Sequence, residues 1–576
     1  MKASKKRGFT IIELVIVIAV IAILAAVLIP TFANIIQKAN VANDVALARN
    51  MNTILIADEA TNGRSTDMYD VLIALEQGGF KLENLNPRAD GNVFAWDKAN
   101  NQIVYLDKKN PDKPIFQAKE IGANKGDLYI TTRKAEVFAD YPGYSYYFAS
   151  DIKGDITLKG GSCLDTGEFA LDGNVYVQTE NDVEIHGTIK NTITVNSASG
   201  KITNYSVVEN VVIEKTASTS YHERGHVGAM EIKNSLTGKV VLENDAYVEK
   251  LTNNGTNGKV ESKGYVKAVD ENSSSTSVTV TPTGYALEIG TYDQLVNFRN
   301  KVNAGASYSG MTVKLTADID ISERAWTPIG AAYRDKIDAN AKVFQGTFDG
   351  QGHKITGLTN TGFKISSVYS GRNDTTPHEY KEYVFGLFGS VYNATIKNIV
   401  MANVNVDLGC DEKEKVVGDS VGAIVGFAAG DKATGVTIDN CDVLSGSIVG
   451  YDAVAGIVGR SYSGKITIEN CENAATVTAI RRASGILGYT NTSYIKDGGS
   501  AAIKNCTNSG NVKQTCTPDT DPAKKENLSY YQVAGLAICG GKDAVEITIT
   551  GSVNNGTITL TANGKQDKTV LYSEKK

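Results

Sequence analysis

The residues most suggestive of catalysis are His222-Glu223-Arg224-Gly225-His226. Two imidazoles four apart on one helical face can share a zinc ion, with the glutamate as general base and a third ligand downstream. Glu231 or Glu243 could be nominated as that ligand, and nothing singles out either. The context supplies no helix. Thr216 to Tyr221 come before, Gly225 and Gly228 interrupt, and β-prone segments flank both sides. The stretch is expected to be a loop without zinc. Gly459-Arg460-Ser461-Tyr462-Ser463-Gly464-Lys465 approaches a phosphate-binding loop. Ile466 stands where Ser or Thr would hold magnesium, and the context is strand–turn–strand, so nucleotide binding is not expected. Asp318, Asp320 and Asp349 could act as acid–base groups or bind calcium, but no convergent Asp/Arg/Lys set accompanies them. The cysteines are Cys163, Cys410, Cys441, Cys471, Cys506, Cys516 and Cys539, an odd and sparse set that cannot build a disulfide scaffold. No catalytic residue, no metal and no cofactor is therefore expected.

Glu13 is unusual in a different way. It lies inside an apolar run, Phe9 to Ile29, whose other polar residue is Thr10. Such a run is long enough for a helix to cross a bilayer core of about 30 Å. Lys5, Lys6 and Arg7 precede it, which should keep its start on the cytoplasmic side. A lone carboxylate there costs roughly 2.5–3.5 kcal/mol on insertion scales. Something must offset that cost.

Basic residues, Gly8, Phe9-Thr10-Ile11-Ile12-Glu13 and a long apolar helix with Pro30 resemble the class III signal of type IV pilins and pseudopilins, over residues 5–32. The resemblance implies cleavage between Gly8 and Phe9 by a prepilin peptidase, and methylation of the new Phe9 amine. It implies that Glu13 faces the Phe9 ammonium of a neighbouring subunit in a filament core, the partner that the membrane argument demands. A secretory signal has a shorter apolar core ending in small residues, which this run lacks.

Beyond Pro30 an apolar stripe continues through Ile35, Ile36, Ala39, Ala42, Val45, Ala46, Met51, Ile54 and Leu55. Polar residues, Asp44 among them, cover the other faces. Pro30 should bend or locally melt the helix. A short helix, Asp67 to Gln77, is predicted next, capped by Ser65 or Thr66. A β-hairpin, Asn92 to Asp107, follows with Trp96 and Tyr105 as packing aromatics. The expected organisation is a leader at 1–8, a membrane and filament helix at 9–62, and a small pilin-like α+β head at 63–114. A β-rich region at 115–270, expected as a β-solenoid, is followed by a polar linker at 271–283 and a repeat region at 284–576. The fold class is thus mainly β behind a long N-terminal helix.

The repeat region opens with a helix over Tyr292 to Val302, capped by Thr291, expected to close an open end. Gly-apolar-apolar-Gly units then start at Gly386, Gly422, Gly456, Gly485 and, more loosely, Gly535. Between them recur Thr395-Ile396-Lys397-Asn398, Thr437-Ile438-Asp439-Asn440-Cys441, Thr467-Ile468-Glu469-Asn470-Cys471 and Ala502-Ile503-Lys504-Asn505-Cys506. Such spacing marks stacked coils with variable loops. Asn at one corner tolerates left-handed geometry, and the three cysteines should stack as small buried residues. Residues 284–560 resemble bacterial surface proteins with GLUG repeats, which implies a right-handed parallel β-helix and no agreed ligand.

The chain has a formal charge of -6, and losing its basic leader would make it more acidic, which argues against nucleic-acid partners. The expected function is non-enzymatic: a pilin-like subunit, minor or at the tip, displaying a β-helical head for adhesion. Its expected partners are the prepilin peptidase, other pilin subunits, the cytoplasmic membrane and a glycan or protein of a host or surface. Ser366 to Tyr383, Leu408 to Lys415 and Gln514 to Ser529 are candidate contact loops. The alternatives are a pseudopilin of a secretion or DNA-uptake system, and a β-helical polysaccharide-active enzyme on a pilin-like anchor.

Overall fold

The computed structural model describes residues 11–122, 124–160, 163–196, 199–216, 220–233, 238–254, 260–270, 285–322, 324–330, 340–361, 381–411, 416–462, 464–491, 499–517, 520, 531–540, 547–561, 565–567 and 569–572. The leader with Gly8, the residue Phe9, the linker 271–283 and most of the candidate contact loops lie outside them.

Helix α1 spans Ile11–Asn62, 52 residues, and runs through Pro30 without a break. The expected melting does not occur. Ile, Leu and Ala dominate the segment before Pro30, and every backbone amide but that of the proline can keep its partner. Thr31 adds a hydroxyl bond to the carbonyl of Val27 at 2.8 Å. The two halves differ sharply. From Ile11 to Ile36 the large apolar side chains are exposed, Ile11 at 81% and Ile29 at 67%. Asp44, Ala48, Met51, Asn52 and Leu55 are buried instead. Ala48, Met51 and Leu55 form a core with Met68, Val71 and Leu75 of helix α2 (Met68–Gln77) and with Phe94, Trp96, Ile103 and Tyr105. The cap of α2 is Asp67, which accepts the Asp70 N–H at 3.0 Å, rather than Ser65 or Thr66.

Strands β1 (Val93–Asp97) and β2 (Gln102–Leu106) form the expected hairpin, with Phe94 opposite Tyr105 and Trp96 opposite Ile103. Hydrogen bonding then runs on past Pro114. Strand β3 (Leu128–Thr132) pairs antiparallel with β1, and after a single helical turn, α3 (Val137–Asp140), strand β4 (Ser145–Phe148) pairs parallel with β3. From there the pairing is parallel with a short, regular step. Ile156 is level with Val175, Val175 with Ile193, and Ile193 with Val211. These four side chains are at most 1% exposed, so one apolar position per pass builds the core.

The chain divides into two compact units: residues 1–222 with 230–240 and 253–259, and residues 223–229 and 241–252 with 260–576. From Ala286 onward, strands sort into five ladders of six to eight strands, parallel but for Cys410–Asp411, each taking at most one strand from a pass in its parallel path. The first ladder includes Thr347–Asp349, Thr395–Lys397, Val436–Asp439, Lys465–Glu469 and Ser500–Lys504. The fourth includes Val416–Gly422, Val454–Ala455, Arg482–Ser484 and Gln532–Ala534. The fifth includes Val425–Ala429, Val458–Ser461, Leu487–Thr490 and Ala537–Cys539. The Gly-apolar-apolar-Gly units are the corners between the fourth and fifth ladders. Their apolar residues Leu387, Ile424, Ile457, Ile486 and Leu536 are wholly buried. What demands glycine there is space rather than a left-handed turn: a Cβ on Gly459 would stand 2.5 Å from the Val421 nitrogen. Asparagine supplies the left-handed corners, with φ of 56° at Asn398, 51° at Asn440, 56° at Asn470 and 51° at Asn505. Cys441, Cys471 and Cys506 follow them and are at most 2% exposed.

Helix α4 (Tyr292–Ala304) lies between the first two strands of the first ladder, Ala286–Ile289 and Thr312–Leu315. Thr291 caps it by accepting the Gln294 N–H, and Gly305 ends it at φ 127°. Leu295, Phe298 and Val302 join the ladder core beside Leu287, Val313 and Phe348. Lys301, 1% exposed, also points inward and donates to the main-chain oxygen of Asp245. Burial lowers its pKa to about 8. The folded value lies below the unfolded one, so the unfolded chain holds more protons between them. Stability should therefore rise as pH climbs from about 8 towards about 10.4, by up to roughly 3 kcal/mol. Lys301→Met should match or exceed wild type at neutral pH and lose that rise, as thermal unfolding at the two pH values will read.

Candidate functional site

The first candidate is α1 itself. Its first turn carries Glu13, and its exposed apolar surface continues to Ile36. It is a helix long and apolar enough to cross a membrane, with none of its most apolar window buried by the rest of the chain. Pro30 lies within this half, and Gly8 and Phe9 lie outside the described residues.

The outer half is latched to the head by polar groups that the stripe does not announce. Asp44, placed on the polar face from sequence, is wholly buried. Its carboxylate accepts the main-chain N–H groups of Arg88 and Ala89, each at 2.9 Å, and the Tyr105 hydroxyl at 2.9 Å. Asn52 gives its amide to the Ile103 carbonyl and accepts the Ile103 N–H, both at 2.8 Å. A buried carboxylate is tolerable when its oxygens are met in this way.

The motifs with catalytic spelling fold into framework. His222 lies in strand Ser220–Glu223 and His226 begins strand His226–Ile232, so the two imidazoles share no helical face. Glu223 is buried and accepts the Gly225 N–H at 2.7 Å. His226 lies 3.6 Å from Glu249 and edge-on to the Tyr247 ring. The adjacent His226 imidazole lowers the Glu249 pKa, opposed by burial and aided by Lys267. Asp349 bonds the Gln351 N–H and the Asn398 amide, with Lys397 3.2 Å away. Burial pushes its carboxyl up, and these bonds outweigh that push. Asp318 and Asp320 accept the main-chain N–H groups of Lys354 and Ser322. Among the described residues no group of three His, Cys, Asp or Glu is placed to hold a metal.

A second candidate was not visible in sequence. On the outward faces of the fourth and fifth ladders, beyond the Gly corners, Val384, Phe427, Ala453, Tyr462, Tyr489, Ala534 and Ile538 form a separate apolar cluster. Arg460, the second residue of the stretch that imitates a phosphate-binding motif, lies beside the Tyr462 and Tyr489 rings of this cluster. Its guanidinium donates to Ser420 at 3.0 Å, Tyr462 at 3.2 Å, Asp419 at 3.0 Å and Asp452 at 3.2 Å. Arg482 lies 3.5 Å from Asp452 and 4.1 Å over the Tyr489 ring, and Arg481 lies 4.2 Å over Tyr451. Burial pushes the Asp452 carboxyl up, but Arg482, Arg460 and Arg481 together hold it below its ordinary value. The signal that could have found the cluster is the outward rank Phe427, Arg460, Tyr489 at corresponding positions of successive repeats.

An exposed apolar helix with an acid in its first turn opens the described chain. Residues 3–29 match the prokaryotic N-terminal methylation motif. The chain is 35% identical over 94 residues to the type IV major fimbrial protein FimA of Dichelobacter nodosus, covering 16% of this chain and 57% of that protein. It is 44% identical over 98 residues to a fimbrial protein of Moraxella nonliquefaciens, covering 16% of this chain and 63% of that one. The chain thus spans less than two thirds of the fimbrial proteins it matches. Its N-terminal region resembles that of type IV pilins with a class III signal. A putative immunoglobulin A1 protease from Bacteroides ovatus aligns at a TM-score of 0.29 and 16% identity, over 50% of this chain and 84% of that one.

Proposed function

We propose that the protein is a non-enzymatic, low-abundance or tip-located subunit of a type IV filament, presenting its ladders as a large head for surface contact. A prepilin peptidase cuts between Gly8 and Phe9, the helix waits in the cytoplasmic membrane with its start inside, and assembly with other pilin subunits then withdraws it. Phe9 supplies the ammonium that neutralises Glu13 of a neighbour. The ladders form a right-handed parallel β-helix, and the target is a glycan or protein on a host or other surface.

The observation that carries this reading is the division of α1. One half leaves its apolar side chains bare with Glu13 in its first turn, and the other is bonded into a folded head. The size of the head favours a position where it does not crowd a shaft. Immunogold labelling of intact filaments should mark ends or sparse points. Continuous labelling along the shaft would overturn the low-abundance assignment, and release of shortened oligosaccharides from pectin-like polymers would overturn the non-enzymatic one.

A further inference from the structure

The ladders end on a pass that differs from those before it. Its strands in the first three ladders are Ile547–Thr550, Val553–Asn554 and Ile558–Leu560, and among the described residues no strand pairs beyond them. Ile503 and Val512 of the preceding pass are wholly buried, whereas their register partners Ile549 and Ile558 are only partly buried against the core. Leu560 is in the same condition. The opposite end of this core is covered by Tyr247 and by Leu295, Phe298 and Val302 of α4.

A file of amides runs to the same end. Asn473 donates to Asn508 at 2.8 Å, and Asn508 donates to Asn554 at 2.6 Å. Asn554 gives one N–H to the Gly556 carbonyl at 3.0 Å, and its second N–H meets no acceptor among the described residues. Apolar side chains, strand edges and amide all stop one layer short of being met.

The charges identify that layer. Sheet edges are ordinarily protected from pairing with another chain by charged side chains or proline. Earlier passes carry such charges here. Asp439, Glu469 and Lys504 are level with one another, and Thr550 takes their place in the last pass. Asp442 and Glu472 are followed, through Thr507, by Val553, which is 49% exposed. Lys513 is followed by Thr559. From Ile547 to Thr561 there is no charged residue and no proline. The fourth ladder ends on Lys565–Asp567, with one charge of each sign. A face without net charge does not repel its own copy, and it offers nothing to a strongly charged partner. The pass over residues 547–572 also has the size of one side of an ordinary interface, about 20–30 residues.

We propose that this last pass is a self-association surface, on which the ends of two copies of the chain stack about a two-fold axis. Ile549, Ile558 and Leu560 of each copy are covered by the other, and edge strands run antiparallel across the joint. Because the opposite end is covered, the contact closes at two, where two open ends would build a fibre. In the filament setting proposed above, on which only its biological meaning rests, the contact joins heads displayed by neighbouring filaments.

The test is sedimentation velocity of the full chain in detergent over a concentration series, with hydrogen exchange followed at residues 547–561. Wild type should pass from monomer to dimer below about 100 μM, and amides in this stretch should gain protection as it does. Thr550→Lys combined with Thr559→Lys restores the lysines of the preceding pass, so the fold is kept. It should weaken the dimer at least about tenfold and leave the melting temperature unchanged. A wild-type chain that stays monomeric overturns the proposal. So does a dimer that the double variant leaves intact, which would place the contact elsewhere, on the apolar half of α1. Protection of the same amides in the monomer would show that the chain covers its own edge, and species larger than two would remove the two-fold closure. Filament assembly enters none of these measurements, so a failed immunogold test leaves this result standing, and absence of the dimer leaves the filament reading standing.

Discussion

Glu13→Ala is expected to cut incorporation into filaments by about tenfold or more while leaving the chain in the membrane. The carboxylate is a liability in lipid, at roughly 2.5–3.5 kcal/mol on insertion scales. Alanine therefore improves residence in the bilayer. In the proposed filament core the same carboxylate would meet the Phe9 ammonium of a neighbour, and the pair would offset much of that penalty. The substitution shifts the balance from both sides, favouring the bilayer and weakening the filament. Gln at this position keeps shape and hydrogen bonding but no charge, so it should fail nearly as badly. Immunoblots of sheared filaments and of membranes from the same cells measure both pools. Wild-type levels of the alanine variant in the sheared fraction would remove Glu13 from assembly.

The second large effect is expected in the second unit. Arg460→Ala should destabilise it by about 3–5 kcal/mol, because it removes the guanidinium that the buried carboxylates Asp419 and Asp452 share and leaves Asp452 to Arg482 and Arg481. Lysine cannot rescue it, since one ammonium cannot reach four acceptors as the planar fork does. The pH dependence gives a second reading. Asp452 has a folded pKa below its unfolded value, so its contribution is present above the usual aspartate range near 3.9 and is lost as pH falls through the folded value. Removing Arg460 weakens that depression, so the variant should lose stability at higher pH than wild type. Urea midpoints across an acid series will show the shift, and an unchanged midpoint at neutral pH would contradict the role given to Arg460.

Much of the framework was legible because one residue type had one reason to be there. The apolar run with Glu13, the hairpin around Trp96 and Tyr105, and the cap at Thr291 all follow from local chemistry. The corner asparagines were legible for the same reason, since left-handed backbone selects a short polar side chain. Two features needed the third dimension. Asp44 reads as a surface acid by its spacing, and only the loop at Arg88 and Ala89 and the hydroxyl of Tyr105 make it a buried one. The cluster is assembled from residues about one pass apart, and no window of sequence brings Arg460, Asp419 and Arg482 together. The His222–His226 stretch misleads for the opposite reason. Its spelling is local, but its geometry depends on a helix that the β-prone neighbours do not allow.

The ladders have a consequence for the history of the chain. Three successive passes share the left-handed asparagine and the buried cysteine after it, Asn440-Cys441, Asn470-Cys471 and Asn505-Cys506. Duplication or loss of a pass outside the Arg460, Asp419, Asp452 and Arg482 set keeps the ladder junctions of the same kind. The number of passes can therefore change by recombination alone, with the ladder hydrogen bonds carried over. Length in this part of the chain is a heritable variable that selection can adjust in steps of one repeat.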